Sequence, residues 1–136
     1  MPHPKADFWS GRLGLLVLTD PAQSFQAGFE LQGTSEAGVL TLLSPLGNTL
    51  ARLQWDEQQA TLERGTERLQ QANVDQLTRL LTPAPVPITA LFAWLQGRPF
   101  DTPDWQADLS AHAQGRIVAQ RLQPLPRAEL RIVLDR

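Results

Sequence analysis

The chain reads as a mainly β protein with two or three short helices, built on one antiparallel sheet that curls toward a barrel. Three observations support that reading. Alternating apolar and polar runs recur through the first half of the chain and again in the last third. Helical spacing of apolar residues appears only between residues 73 and 97. The strands follow one another through short turns and are not interleaved with helices, which argues against a parallel sheet and for an antiparallel one.

Taken in order, the first eight residues are Pro-rich and polar and are expected to form a flexible arm, leaving residues 9–136 as a single domain. "SGRLGLLVL", from Ser10 to Leu18, reads as a strand, and Thr19-Asp20-Pro21-Ala22-Gln23 as turn material. "SFQAGFELQG" alternates, with Phe25, Ala27, Phe29 and Leu31 on one face and Gln26, Glu30 and Gln32 on the other. "AGVLTLL" is a third strand. Ser44-Pro45-Leu46-Gly47 then suits a type I turn, because Ser favours the first position, Pro has φ preset for the second and Gly favours the fourth. This puts Leu46 at a hairpin tip, where side chains are usually polar. "NTLARLQW" leaves the turn with Thr49, Ala51, Leu53 and Trp55 on one face, and "ATLER" and "ERLQQ" flank Gly65-Thr66 as a short hairpin.

The period then changes. In "NVDQLTRLLT", Val74, Leu77, Leu80 and Leu81 recur at helical spacing, and Asn73 with Gln76 three residues later forms a capping pair. "PAPVP" interrupts the chain. "ITALFAWLQG" is a second helix, with Pro87 at its start and Gly97 just past its end. "DWQADL", "GRIVAQRLQ" and "AELRIVLDR" return to strands, the first two separated by a turn-like "SAHAQ".

Composition excludes several functions. With 136 residues the chain is one domain by size, large enough to bury roughly two thirds of its unfolded surface. A net charge of −2 with no basic block disfavours nucleic acid. The absence of cysteine removes disulfides, thiol nucleophiles and thiolate metal sites. No run approaches the ~18 apolar residues of a membrane helix, and "MPHPKADFW" has no signal-peptide core. An enzymatic reading finds no constellation. His3 falls in the arm and His112 in a loop, where it is expected to face solvent. No serine sits in a nucleophile elbow, and no Gly-rich phosphate loop occurs. Asp101, Asp104 and Asp108 are the densest carboxylate group, but their spacing fits turn capping better than a cation loop. No catalytic residue, metal or cofactor is expected.

The apolar features say more. Ile88, Ala90, Leu91, Phe92, Ala93, Trp94 and Leu95 make the second helix apolar nearly all round, so it must be covered on more than one side. It is either a core helix or a lid that touches the sheet on one side and an apolar ligand on the other. In the second case Phe25, Phe29, Leu31, Leu53 and Trp55 from the sheet, with Leu91, Phe92, Trp94 and Leu95 from the helix, would line a cavity suited to an acyl chain.

"SPLGNTLARLQW", "VPITALFAWLQGRP" and "AELRIVLDR" together resemble the LolB family, bacterial outer-membrane receptors for lipoproteins, over about Trp9 to Arg136. The first matches that family's Pro-Leu-Gly hairpin, the second its proline-flanked, tryptophan-bearing helix. The resemblance implies an open antiparallel β-barrel with helices over an apolar cavity. It implies a monomer that takes acylated lipoproteins from the periplasmic carrier LolA and places their acyl chains in outer-membrane lipid, with no nucleotide and no bond change. It implies that Pro45, Leu46 and Gly47 form the membrane-contact hairpin, with Leu46 meeting the bilayer. The family's lipid-modified N-terminal cysteine has no counterpart in this chain. The implied location is the periplasmic face of the Gram-negative outer membrane, lipid-anchored if an upstream cysteine was trimmed and otherwise soluble in the periplasm. The rival readings are a soluble lipid or lipoprotein carrier in the manner of LolA, an enzyme acting on a hydrophobic substrate, and a structural interaction module.

Overall fold

The computed structural model describes residues 7–100 and 102–135. Among the described residues nine strands form one sheet: β1 (Asp7–Val17), β2 (Gln23–Gly33), β3 (Gly38–Leu43), β4 (Thr49–Trp55), β5 (Ala60–Arg64), β6 (Glu67–Gln71), β7 (Trp105–Asp108), β8 (Arg116–Arg121) and β9 (Ala128–Leu134). The spatial order is β6-β5-β4-β3-β2-β1-β9-β8-β7, and every neighbouring pair is antiparallel. The last strand thus returns to pair with the first, Gly11 opposite Leu134 and Val17 opposite Ala128. Strands β6 and β7 are the two edges, so the sheet stays open. Two helices, α1 (Val74–Leu81) and α2 (Ile88–Leu95), lie in the connection between these edges.

Alternation along the strands sets the interior. Phe29, Leu31, Leu53, Leu62, Ile117 and Ile132 point inward, and Leu77 of α1 with Phe92, Trp94 and Leu95 of α2 complete one hydrophobic cluster. Removing apolar area of this kind from water contributes roughly 25 cal/mol per Å². Four tips converge on one end of the sheet: those between β1 and β2, β3 and β4, β5 and β6, and β8 and β9. The β2–β3 turn lies at the opposite end.

Both helix boundaries follow from capping chemistry. Asn73 Oδ1 accepts from Gln76 N–H at 2.9 Å, as the capping pair predicts, while Gln76 Oε1 reaches one residue further back and accepts from Ala72 N–H at 3.1 Å. At the end of α2, Gly97 N–H donates to the Trp94 carbonyl and Arg98 N–H to the Ala93 carbonyl, both at 2.9 Å. That six-to-one plus five-to-two pattern places Gly97 at φ +77, where side chains other than hydrogen are strained.

Three details depart from expectation. Strand β1 begins at Asp7, so Asp7 and Phe8 leave the predicted arm; residues 1–6, with His3, lie outside the described residues, as does Asp101. His112 is half-buried and not solvent-facing. The β7–β8 connection forms a short 3₁₀ turn there (His112–Gln114), and His112 Nε2 donates to the Leu95 carbonyl at 2.8 Å, covering the end of α2. Alternation in β4 breaks at its start. Leu42 pairs with Ala51 but Leu43 with Thr49, so Leu50 is a bulge residue and both Thr49 and Leu50 are exposed.

Candidate functional site

The β3–β4 turn is built as its residues predict. Gly47 N–H donates to the Ser44 carbonyl at 2.9 Å, closing the four-residue turn. Ser44 N–H donates to the Asn48 carbonyl at 2.8 Å, and Ser44 Oγ accepts from Asn48 N–H at 3.1 Å. Pro45 and Gly47 are exposed, and Leu46 is 89% exposed, folding back on neither Leu43 nor Leu50. The tip is therefore held by backbone bonds, and its one apolar side chain projects into solvent. The Leu50 bulge at its base adds twist to the strand that carries it.

The residues predicted to line a cavity divide into three groups. Phe29, Leu31, Leu53, Trp55, Phe92, Trp94 and Leu95 are buried in the common cluster, and Leu91 is half-buried against it. These side chains pack on one another: the Phe92 ring meets Trp55 edge-on at 6.4 Å between centroids and also Trp9 of β1 at 5.5 Å. Phe25 keeps its predicted face but is 42% exposed. The reason is register, since β3 pairs with β2 only from Gly28 onward and leaves Phe25 with a strand neighbour on one side alone. Trp94 carries the one buried side-chain polar atom without a partner among the described residues, its indole Nε1. An unmet donor of this kind costs about 1–3 kcal/mol.

Three interactions position the α2 segment that spacing alone did not reveal. Asp75, in the first turn of α1, accepts from Ile88 N–H at 3.0 Å and so caps α2, whose own N-cap Pro87 has no side-chain acceptor. Trp105 of β7 donates from Nε1 to the Pro85 carbonyl at 2.9 Å. Its cross-strand partner Arg121 donates from Nη1 to the Pro83 carbonyl at 3.0 Å and from Nε to the Pro124 carbonyl at 3.1 Å. Arg121 is only 6% exposed. Burying a guanidinium is costly, and these carbonyls take up its donors. Its inward aim was readable in β8, where Arg121 shares the parity of Ile117 and Ala119. Together these bonds tie the proline-rich linker, and through it α2, to the sheet.

Open space lies beside this core. A pocket of about 360 Å³ opens between α2, the β2–β3 turn and the segment after α2. Thr34, Ser35, Gln96 and Arg98 line its rim, and Phe92 is the predicted cavity residue that reaches it. That volume falls in the lower part of the range for small-molecule sites, about 300–1,000 Å³. Electrostatics add no chemistry. Asp56 lies below the usual carboxylate range because it accepts from the backbone N–H groups of Gln58 and then Gln59, and Asp108 likewise through the Ser110 side chain and backbone. Both serve turns. Among the described residues no cluster of metal-ligating side chains occurs, and no helix is long and apolar enough to cross a membrane.

Comparison with known proteins places this architecture. The family described as "Outer membrane lipoprotein LolB" matches residues 9–128. The outer-membrane lipoprotein LolB of Bordetella pertussis is 34% identical over 149 aligned residues, covering 91% of this chain and 75% of that protein. The LolB of Bordetella petrii is 31% identical, covering 83% and 68% respectively. That of Ralstonia nicotianae is 36% identical over 79% of this chain and 52% of its own. A match along most of the chain, together with an open antiparallel sheet covered by an apolar helix and a Pro-Leu-Gly hairpin in its expected place, leads to one assignment: this chain belongs to the LolB family of outer-membrane lipoproteins.

Proposed function

We propose that the chain is a lipoprotein acceptor, taking acylated lipoproteins from the periplasmic carrier LolA into the apolar interior between sheet and α2 and delivering them to the outer membrane without nucleotide hydrolysis. The observation that carries this reading is Leu46, 89% exposed at a turn locked by backbone bonds. Exposure of one large apolar side chain on an ordered tip has no folding benefit, and a lipid surface is the environment that rewards it.

Energetics support shielding and limit what Leu46 does. Each buried CH₂ is worth roughly 0.8 kcal/mol, so a 16-carbon chain held in water costs on the order of 10 kcal/mol. Cargo must be covered in transit, and the aromatic and aliphatic side chains of Phe29, Leu53, Trp55 and Trp94 supply such cover when α2 moves aside. A loosely held chain then passes to the bilayer downhill. Burying Leu46 yields at most ~2–3 kcal/mol. That suffices for a weak, reversible bilayer contact that orients the molecule, and it does not drive insertion.

The test is Leu46→Glu. Its thermal midpoint is expected to stay within the range of a surface substitution, about 0.5 kcal/mol, and its loading with lipoprotein to match wild type. Transfer of the loaded lipoprotein into liposomes is expected to fail. Transfer at the wild-type rate would refute the role given to the hairpin. Retention of cargo by the wild-type protein in the presence of liposomes alone would instead support a soluble carrier.

A further inference from the structure

We infer that acyl chains enter through the pocket beside Phe92, at the end of β3 remote from the Leu46 tip, and that the pocket rim holds the carbonyl-bearing head of the cargo. The inference rests on the acyl-transfer reading above and specifies its loading door.

Three observations carry it. The pocket and the core share one large side chain. Phe92 lines the open space on one side and touches Trp9 and Trp55 on the other. A rotation of this ring is the shortest change that joins solvent to the aromatic interior. Its neighbours on α2 offer little obstruction, Ala93 being small and Thr89 lying one turn earlier on the same face.

The rim has the chemistry of an acyl head. Ser35 and Thr89 contribute hydroxyls, Gln96 an amide and Arg98 a guanidinium, the Asp7 carboxylate accepts from the Gln96 amide, and Phe100 adds an exposed apolar wall. An acylated glyceryl-cysteine carries ester and amide carbonyls, which accept hydrogen bonds and donate few. Such a head matches the hydroxyl and guanidinium donors of this rim beside an apolar floor. Gln96 is already oriented, donating to Asp7 Oδ2 at 3.3 Å and accepting from Arg98.

The topology separates loading from release. The β2–β3 turn and the Pro-Leu-Gly turn sit at opposite ends of β3, whose six residues span about 20 Å. With Leu46 against a bilayer, the Phe92 pocket faces away from it, open to a soluble donor.

The chain has no cysteine, so single introduced thiols can be labelled cleanly. Ser35→Cys at the rim and Thr66→Cys in the β5–β6 turn, each carrying a bulky maleimide, would be mixed with a synthetic dipalmitoyl-glyceryl-cysteine peptide and loading followed by tryptophan emission. Loading slowed by an order of magnitude with the label at position 35 and unchanged with it at 66 is the expected result. Phe92→Leu, a smaller gate, is expected to load faster than wild type. Equal rates for both labelled proteins, or a Phe92→Leu rate equal to wild type in a protein that still melts cooperatively, would overturn the assignment of the door while leaving acyl binding intact. No uptake of the lipopeptide by the unlabelled wild-type protein would remove the acyl-transfer reading, and this inference with it.

Discussion

Among the described residues, Leu46 is the most exposed of the large apolar side chains. The run Ser44-Pro45-Leu46-Gly47 places it at a hairpin tip, and the fold leaves its side chain in solvent. Gly97 is the opposite case. Its place after α2 was legible as a helix stop, but its second constraint was not: a Cβ there would stand 2.8 Å from the His112 ring, which comes from a connection 15 residues further on (112 − 97). Gly97→Ala therefore meets both a positive φ and a ring that must move. It is expected to cost about 2 kcal/mol or more, lowering the thermal midpoint by roughly 5 °C or more. Scanning calorimetry of the variant checks this, and a midpoint equal to wild type would show that the His112 ring yields freely. The sequence expectation of a solvent-facing His112 fails because its acceptor, the Leu95 carbonyl, is non-local.

Among the elements, strands were the easiest to recognise and the lid helix the hardest to interpret. Period-two alternation in β2 and β4 put Phe29, Leu31, Leu53 and Trp55 on the buried face, because a pleated strand sends successive side chains to opposite sides. It fails at Thr49, which alternation groups with Ala51 but which is exposed, because a bulge at Leu50 inserts one residue and alternation loses its phase. Helix α2 is apolar nearly all round, so its pattern does not reveal which side meets the sheet. The structure resolves this through Phe92 against Trp9 and Trp55, and through the bonds that fix its linker. Asp75 is the most local of these. Asp75→Ala removes the acceptor for Ile88 N–H, a cap worth about 1 kcal/mol, whereas Asp75→Asn keeps a neutral acceptor at the same place. Faster amide hydrogen exchange over the first turn of α2 in Asp75→Ala, with a smaller change in Asp75→Asn, is the expected outcome. Equal protection in all three proteins would show that packing alone anchors the helix.

For the molecule as a whole, the proposed function would have stability and cargo binding draw on the same apolar interior. Phe29→Asp is expected to weaken acyl-lipopeptide binding and to destabilise the fold by several kcal/mol, since an unpaired carboxylate would be buried on the inner face of β2. Urea unfolding and lipopeptide titration read the two effects separately, and wild-type behaviour in both would place Phe29 outside the interior. From order, alternation and turn chemistry, the chain's own residues were enough to predict a mainly β antiparallel fold with two or three short helices and a hairpin tip at Leu46. Each of these depends on neighbours within a few positions along the backbone. Pairing between β9 and β1, the exposure of Phe25, the burial of Arg121 against proline carbonyls and the pocket beside Phe92 were settled by folding alone. Each joins groups distant in sequence, and spacing along a chain carries no information about which distant groups will share one volume.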